Sequence, residues 1–364
     1  MCEKGTLAHA FRFDVLSDPL RTITLEEHYA TRAFMDGPGR DLRALSEAAR
    51  LNPQLSARFA NLEGQLIDVG EKRIADMDAA GIDVQLLSLN SPGTEQLLGK
   101  EAVDLARNSN DFLAKAIERN PTRLAGFAAI PTAVPDAAAD ELERTVRDYH
   151  FKGALINGHC RGRYLDDEFF WPIFDRAQEL GVPIYLHPTR PPEQVVQASF
   201  VGNFPPEVTR QLSIAAWGWH IETAVHVIRI ISSGAFDHYP KLQLIIGHLG
   251  EGLPFMLQRL DCNLPMGMTR LKRPFSSYLR ENVRYTFSGF NFLPPFLNLF
   301  MEVGVDRIMF STDHPYASMA EGRAFLDRLP VSPEDRERIA HKNAERLLNL
   351  RRVYFISSKA FWSR

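Results

Sequence analysis

Cysteine is scarce in this chain, which has only three in 364 residues. They are widely spaced and form no paired motif, so neither a disulfide scaffold nor a cysteine metal site is expected, and a reducing, cytoplasmic location is indicated. Long apolar runs are also missing, because none reaches the roughly 20 residues that a membrane-spanning helix needs. The stretch 1–21 has no signal-peptide core and is predicted to be an N-terminal extension.

Neither sign of charge dominates the composition. The chain has 42 basic and 45 acidic side chains, a net charge of −3, and a pI of about 6.4. A balance of this kind gives no electrostatic attraction for nucleic acid or for an anionic membrane surface. We therefore expect the partners to be small molecules or further protein chains.

What the sequence does have is a regular alternation of apolar, strand-like runs with helical periods. Eight runs are predicted as strands: Ile23–Leu25, Ile82–Leu89, Leu124–Ile130, Gly153–Asn157, Val182–His187, Leu242–Gly247, Val283–Ser288 and Arg307–Thr312. Alternation of this kind, with no linker long enough to split the chain, predicts an α/β fold that is a single (β/α)8 barrel over residues 22–352. Residues 353–364 are predicted to be a C-terminal tail.

The segments between the strands are predicted to be helices and one long loop. Helical periodicity extends over 42–60, 66–80 and, in the last part of the chain, 333–348. The stretch 188–216 contains Pro191-Pro192 and Pro205-Pro206 and shows no clean period. It is predicted to be a long insertion loop before strand six, and loops of that length are usually functional or interfacial.

Acids and imidazoles follow several of the predicted strands at their carboxyl ends. Glu26 and His28 close the first strand, on one face because strand side chains alternate with a period of two. His187 closes the fifth strand, and Asp313 follows the eighth. Parallel α/β barrels carry their chemistry at this end of the strands. The four side chains are therefore predicted to meet at the barrel mouth.

Two imidazoles and two carboxylates form a donor set that suits a divalent cation such as Mn²⁺, Zn²⁺ or Fe²⁺. Any one of these histidines alone is more often a hydrogen-bonded structural residue. The placement of four such groups at matching strand ends favours the metal site.

Further candidates surround this set. His248 follows the sixth strand, and Glu251 lies three residues later, where it could hold the imidazole in one tautomer. A fifth metal ligand or a loop-packing pair is the alternative for His248. Arg259 could reach a substrate carboxylate or lie on a solvated helix face. Asn157 and Tyr316 could line the pocket, although core filling would also explain Tyr316.

The motifs that carry these residues resemble the amidohydrolase superfamily, and more narrowly its non-oxidative aromatic-acid decarboxylases, such as the γ-resorcylate, 2,3-dihydroxybenzoate and 5-carboxyvanillate enzymes. The motifs are Thr24-Leu25-Glu26-Glu27-His28, Tyr185-Leu186-His187-Pro188, Gly247-His248-Leu249-Gly250-Glu251-Gly252 and Ser311-Thr312-Asp313-His314-Pro315. Two features differ from the hydrolytic branches, which bind two metals. The first motif is Glu-x-His, and strand four offers Asn157 in place of a bridging lysine.

The resemblance implies specific roles. Glu26, His28, His187 and Asp313 would bind one divalent metal per chain, with Mn²⁺ first and Zn²⁺ or Mg²⁺ as alternatives. His248, Glu251 and Asp313 would be catalytic, and Arg259 would contact a small aromatic acid. The expected activity is decarboxylation of a hydroxylated benzoic acid.

Two other functions remain open from the sequence. One is hydrolysis of a lactone or cyclic ester on the same metal, and the other is a silent barrel that serves as an interaction module. The apolar, proline-rich insertion and the aromatic tail predict a homodimer or homotetramer.

Overall fold

The computed structural model describes residues 20–51 and 59–350. Residues 1–19 of the predicted extension, residues 52–58 of the helix predicted over 42–60, and the predicted tail 353–364 lie outside these described residues.

Eight parallel strands form the centre of the molecule. Almost every strand residue is buried, as expected for strands that are covered on both faces. The strands are β1 (Ile23–Tyr29), β2 (Val84–Leu89), β3 (Leu124–Gly126), β4 (Ala154–Asn157), β5 (Ile184–His187), β6 (Leu244–Ile246), β7 (Val283–Thr286) and β8 (Ile308–Met309).

The strands pair in chain order, in two sheets of order β1-β2-β3 and β4-β5-β6-β7-β8. A parallel bridge between Ala128 and Ala154 joins the two sheets on one side. On the other side, Asp313 N donates to Glu26 O at 3.0 Å and His28 N donates to His314 O at 2.8 Å. The architecture is the (β/α)8 barrel that the sequence predicts.

Helices follow the strands and cover the outside of the barrel. They are α1 (Arg32–Asp36), α2 (Arg40–Leu51), α3 (Leu62–Ile67), α4 (Glu71–Ala80), α5 (Gly99–Arg119), α6 (Pro135–Tyr149), α7 (Trp171–Leu180), α8 (Glu193–Ser199), α9 (Pro206–Ser213), α10 (Gly218–Ser232), α11 (Ala235–His238), α12 (Leu253–Asn263), α13 (Met266–Thr269), α14 (Phe275–Glu281), α15 (Leu293–Val303), α16 (Met319–Asp327), α17 (Pro333–Glu337) and α18 (Asn343–Leu348). None of these described helices is both long and apolar enough to cross a membrane.

The structure corrects several local predictions. The first strand does not end at Leu25 but continues to Tyr29, so that Glu26 and His28 lie within β1. The insertion is not a loop throughout, because Pro192 and Pro205 are N-cap residues of α8 and α9, and proline is favoured at helix starts. The helix predicted over 66–80 is two helices, separated where Asp68 Oδ1 accepts from Gly70 N at 3.0 Å. The helix predicted over 333–348 begins at the Ser332 cap but contains a π-helical turn at Arg338–Lys342.

The barrel interior has its own small core. This cluster draws on seven of the eight strands and contains, among others, Leu25, Leu86, Phe127, Tyr185 and Met309. The larger core lies between the strands and the surrounding helices. Tyr185 is fully buried in the interior core, so its hydroxyl needs an internal partner, and this requirement connects the core to the site above it.

Candidate metal centre

Four side chains predicted to bind metal converge at the carboxyl ends of the strands. Each offers one ligand atom, and these atoms all lie within 4.8 Å of one another; the residues are Glu26, His28, His187 and Asp313. His28 Nε2 is 3.1 Å from Asp313 Oδ1, and His187 Nε2 is 3.3 Å from Glu26 Oε1. The barrel produces this convergence because β1, β5 and the segment after β8 all end at the same rim.

Hydroxyl groups from the barrel interior orient Glu26. The Tyr185 hydroxyl and Ser288 Oγ both donate to its Oε2 atom. Its Oε1 atom is buried and lies 3.3 Å from His187 Nε2, but no described group meets hydrogen-bond geometry with it. Gly247 allows this arrangement, because a Cβ at that position would lie 2.5 Å from Glu26 Oε2. One carboxylate oxygen is thus anchored, and the other faces the imidazoles.

The charges in the cluster depend on one another. Burial alone would raise the pKa of Glu26, but the imidazoles of His248 and His187 hold it well below its usual range. Burial raises the pKa of Asp313 well above its usual range, and the negative charge of Glu26 adds to that effect. A cluster that concentrates opposite charges in a buried space is an environment that a bound cation would stabilise.

Glu27 holds the loop that carries Asp313. It lies on the opposite face of β1 from Glu26 and accepts hydrogen bonds from Thr312 N at 2.8 Å, Thr312 Oγ1 at 2.7 Å and His314 N at 3.2 Å. Asp313 has a φ of 62°, a left-handed conformation that is rare for residues other than glycine. The contacts on either side keep Asp313 in that conformation. His314 lies outside the four-residue cluster.

The predicted couple of His248 and Glu251 lies beside the cluster. Nδ1 of His248 is 2.8 Å from Glu251 Oε1, and its Nε2 is 3.8 Å from Glu26 Oε1. Burial disfavours a charged imidazole, but the carboxylates of Glu251 and Glu26 outweigh burial and raise the pKa of His248 to about 10. His248, Leu249 and Glu251 all have positive φ, and clustered strain of this kind is typical of functional sites.

The three residues predicted to bind substrate lie at different distances from the cluster. The Tyr316 ring packs edge-on against His28 at 5.8 Å, and its hydroxyl donates to Asn90 Oδ1. Asn157 is paired with His187 in the β4–β5 register. Arg259 lies on an exposed part of α12, and no described contact joins it to the cluster, so its role stays a prediction.

Sequence reasoning missed several supporting residues. Tyr185 and Ser288 lie in predicted strands, where the sequence indicates only core residues. The alternation of side chains along each strand nevertheless directs both toward the barrel interior. Arg73 is 1% exposed, and its guanidinium donates to His28 O at 2.8 Å, which holds the end of β1. His220, on α10, contacts Glu251. No local motif signals these contacts, because they join residues that are far apart in the chain.

A further buried carboxyl group, that of Glu95, lies near the rim. Its Oε1 accepts from Asn157 N at 3.0 Å, and its Oε2 has no hydrogen-bond partner among the described residues. Burial raises the pKa of Glu95 from 4.5 to about 7. The folded protein therefore favours the neutral acid, and its stability should fall as the pH rises from 4.5 to about 7 and then level off.

Glu95→Gln should remove the part of this pH dependence that Glu95 contributes, whereas Glu27, whose pKa burial also raises to about 7, should keep its own part. Since each pKa unit corresponds to about 1.4 kcal/mol, ionised Glu95 costs about 3 kcal/mol, and the variant should gain a large part of that amount above pH 7. Urea unfolding at pH 5 and pH 8 measures the difference, with the exposed Glu101→Gln as the matched control. An unchanged difference between the two pH values in Glu95→Gln would contradict the assignment.

The donor set and its surroundings fit one divalent cation. Two imidazole nitrogens and two carboxylates are the mixed ligands that Mn²⁺ and Zn²⁺ accept. The unpartnered Oε1 of Glu26 supports this fit, because a buried carboxylate oxygen without a donor is rare.

Comparison with known proteins agrees with this geometry. Residues 67–350 match the Amidohydrolase family. The gamma-resorcylate decarboxylase of Polaromonas sp. strain JS666 is 35% identical over 341 residues, which are 91% of this chain and 99% of that protein.

Two solved structures have the same fold. A dihydroxybenzoic acid decarboxylase from Polaromonas sp. JS666, with bound manganese and the inhibitor 2-nitroresorcinol, aligns at a TM-score of 0.81 and 35% identity, covering 92% of this chain and 99% of that chain. The second is the 5-carboxyvanillate decarboxylase of Novosphingobium aromaticivorans, complexed with manganese and 4-hydroxy-3-methoxy-5-nitrobenzoic acid. It aligns at a TM-score of 0.82 and 35% identity, covering 91% of this chain and 96% of that chain. With its barrel, its four converging candidate ligands and these relatives, the chain belongs to the amidohydrolase family.

Proposed function

We propose that this protein is a metal-dependent, non-oxidative decarboxylase of hydroxylated benzoic acids. The observation that carries the proposal is the convergence of Glu26, His28, His187 and Asp313 within 4.8 Å, with the His248–Glu251 couple beside them. The decarboxylases that share this fold and were solved with manganese support the choice of one Mn²⁺ per chain. Zn²⁺ and Mg²⁺ are the alternatives.

Exposure of the four side chains supports different roles for them. The side chain of Glu26 is 0% exposed, that of His28 1% and that of His187 7%, whereas that of Asp313 is 18% exposed. A buried ligand can only hold a cation, but a ligand that also faces the open mouth can meet a substrate. We therefore assign Asp313 a second role as the proton donor.

The chemistry that the cation supplies when bound is withdrawal of electron density from the carboxylate and the ortho oxygen of the substrate. Asp313 would give its proton to the ring carbon that bears the carboxylate, so that a C–H bond forms there. The bond to the carboxylate then breaks, its electron pair returns to the ring, and CO₂ leaves. Asp313 regains its proton from water at the exposed mouth.

The neighbouring residues would control the remaining charge and the position of the ring. His248, oriented by Glu251, would hold the phenolic proton or stabilise the phenolate. Arg259 would balance negative charge on the substrate. Tyr316 and Asn157 would form walls on either side of the aromatic ring.

A substrate screen with metal analysis tests the proposal. Purified protein should release CO₂ from at least one member of a panel of hydroxybenzoates, should contain one divalent metal per chain, and should lose activity to a chelator. The competing function is hydrolysis of a lactone or cyclic ester with Asp313 as general base. Turnover of those esters in the same screen, without CO₂ release, would favour it and overturn the decarboxylase.

We also propose that the chain forms a homodimer or homotetramer. Large apolar side chains are exposed on α12, α13 and α15, including Phe255 at 81%, Met268 at 67% and Met301 at 83%. Trp217, at the end of the insertion, is 56% exposed. Exposed apolar groups in such numbers indicate an interface.

Light scattering at micromolar concentration should give the mass of a dimer or tetramer. The double variant Phe255→Glu/Met301→Glu should shift the mass toward the monomer, because charged groups would be buried at the interface. Leu98→Glu, at an apolar residue that is 54% exposed in another part of the barrel, is the matched control. A monomeric wild-type protein would refute the proposal.

A further inference from the structure

Both oxygens of the Glu251 carboxylate contact an imidazole. Oε1 lies 2.8 Å from His248 Nδ1, and Oε2 lies 2.6 Å from Nδ1 of His220. The Glu251 side chain is 0% exposed, and that of His220 is 10% exposed. His220 lies on α10 and His248 follows β6, so the carboxylate joins two elements that are separate in the chain.

The other nitrogen of His220 is also engaged. Nε2 lies 3.0 Å from Ala215 O and 3.1 Å from Trp219 Nε1. The indole N–H can only donate, so the neutral imidazole accepts a hydrogen bond from Trp219 at Nε2. The carbonyl can only accept, so the imidazolium donates from Nε2 to Ala215 O instead. In either state Nδ1–H donates to Glu251. The ring is therefore held at both ends.

Ring packing places His220 directly against His248. Their centroids are 4.6 Å apart with the rings at 66°, and Phe290 packs edge-on against both of them, at 5.0 Å from His220 and 5.2 Å from His248. His248 and Glu251 both have left-handed backbone. That turn is intrinsically strained, so the side-chain contacts must hold its conformation.

We propose that His220 is a positioning residue of the reaction. It fixes Oε2 of Glu251, so that Oε1 faces His248 Nδ1 and His248 Nε2 is directed toward Glu26 and the substrate. The inference rests on the proposed decarboxylase function. It also connects the insertion to the reacting groups, since Ala215 and Trp219 hold the far side of the same ring.

A residue that only filled space would need no nitrogen at this position, and this difference supplies the test. In His220→Asn, the amide nitrogen can occupy the place of Nδ1 and still donate to Glu251. In His220→Gln, the amide extends one atom further, and in His220→Leu the volume is filled without a donor. His238→Leu makes the same change at an exposed histidine on α11 and is the matched control.

Leu and Gln at position 220 should lower kcat by about 10–100-fold, the usual cost of losing a group that orients a functional side chain. The KM and the metal content should stay near the wild-type values. The Asn variant should recover most of kcat, and the control His238→Leu should leave kcat near the wild-type value. Equal losses in all three variants of His220, or wild-type kcat in His220→Leu, would overturn the positioning role. If His220→Leu does not fold, the comparison of Asn with Gln decides.

A measurement without turnover separates this inference from the proposed function. Proton NMR of the wild type should show two low-field imidazole N–H signals from the bonds to Glu251, and His220→Leu should lose one and shift the other. Absence of decarboxylation with both signals present would refute the proposed function but leave the contact in place. Absence of any change in the low-field signals of His220→Leu would refute the contact itself.

Discussion

Asp313→Asn is expected to keep bound metal and to bind hydroxybenzoate, yet to lose nearly all decarboxylation. The amide oxygen still coordinates, though more weakly, but the amide has no acidic proton to give to the ring carbon. General acid catalysis alone contributes roughly 10²–10⁴-fold, and weaker coordination adds to the loss. Metal analysis, ligand titration and CO₂ release on the same sample measure the three quantities.

An isotope experiment checks the direction of proton transfer. The wild type in D₂O should place one deuterium on the ring carbon that carried the carboxylate, and concentrated bicarbonate with the phenol should return some of the acid. Asp327→Asn, whose carboxylate pairs with Arg323 on α16, is the control for the substitution itself. Substantial turnover by metal-loaded Asp313→Asn would move the donor role to another group, with His248 first.

Glu26→Ala and His187→Ala are both expected to lose the metal. The activity of each variant should fall by more than about 100-fold. These side chains are almost completely buried and present their ligand atoms to the same point, so no water-exposed group can replace them. Tyr185→Phe removes only the hydroxyl that donates to Glu26 Oε2 and should weaken metal binding by about 10–100-fold. Elemental analysis after dialysis ranks the variants.

His248→Asn should behave differently, because His248 lies outside the four-residue cluster. It should retain the metal and lose turnover by about 10²–10⁴-fold. Loss of the metal in His248→Asn would make His248 a ligand, which is the alternative that the sequence leaves open. Retention of the metal by Glu26→Ala would show that the cluster is not the binding site.

Residues that follow strands were predictable for a simple reason. The carboxyl-terminal part of a buried parallel strand lies at the barrel rim, so Glu26 in β1, His187 at the end of β5 and Asp313 after β8 could be placed together from their spacing along the chain. The insertion was less predictable, because Pro192 and Pro205 are equally compatible with loops and with helix starts. The break between α3 and α4 was not predictable, because it depends on a hydrogen bond to Asp68 that leaves no trace in the hydrophobic periodicity.

By itself the sequence determined the barrel, the convergence of the four candidate ligands and the position of Glu251 three residues after His248, because hydrophobic period and strand ends are local properties of a chain. Only the tertiary structure decided which groups orient them. Three kinds of contact orient these groups: the hydrogen bonds from hydroxyl groups to Glu26, those from the Asp313 loop to Glu27, and the contact of His220 with Glu251. Each contact joins residues at least 31 positions apart. Such pairs are set by how the strands close and how helices pack on them, and side-chain spacing along the chain carries no record of that closure.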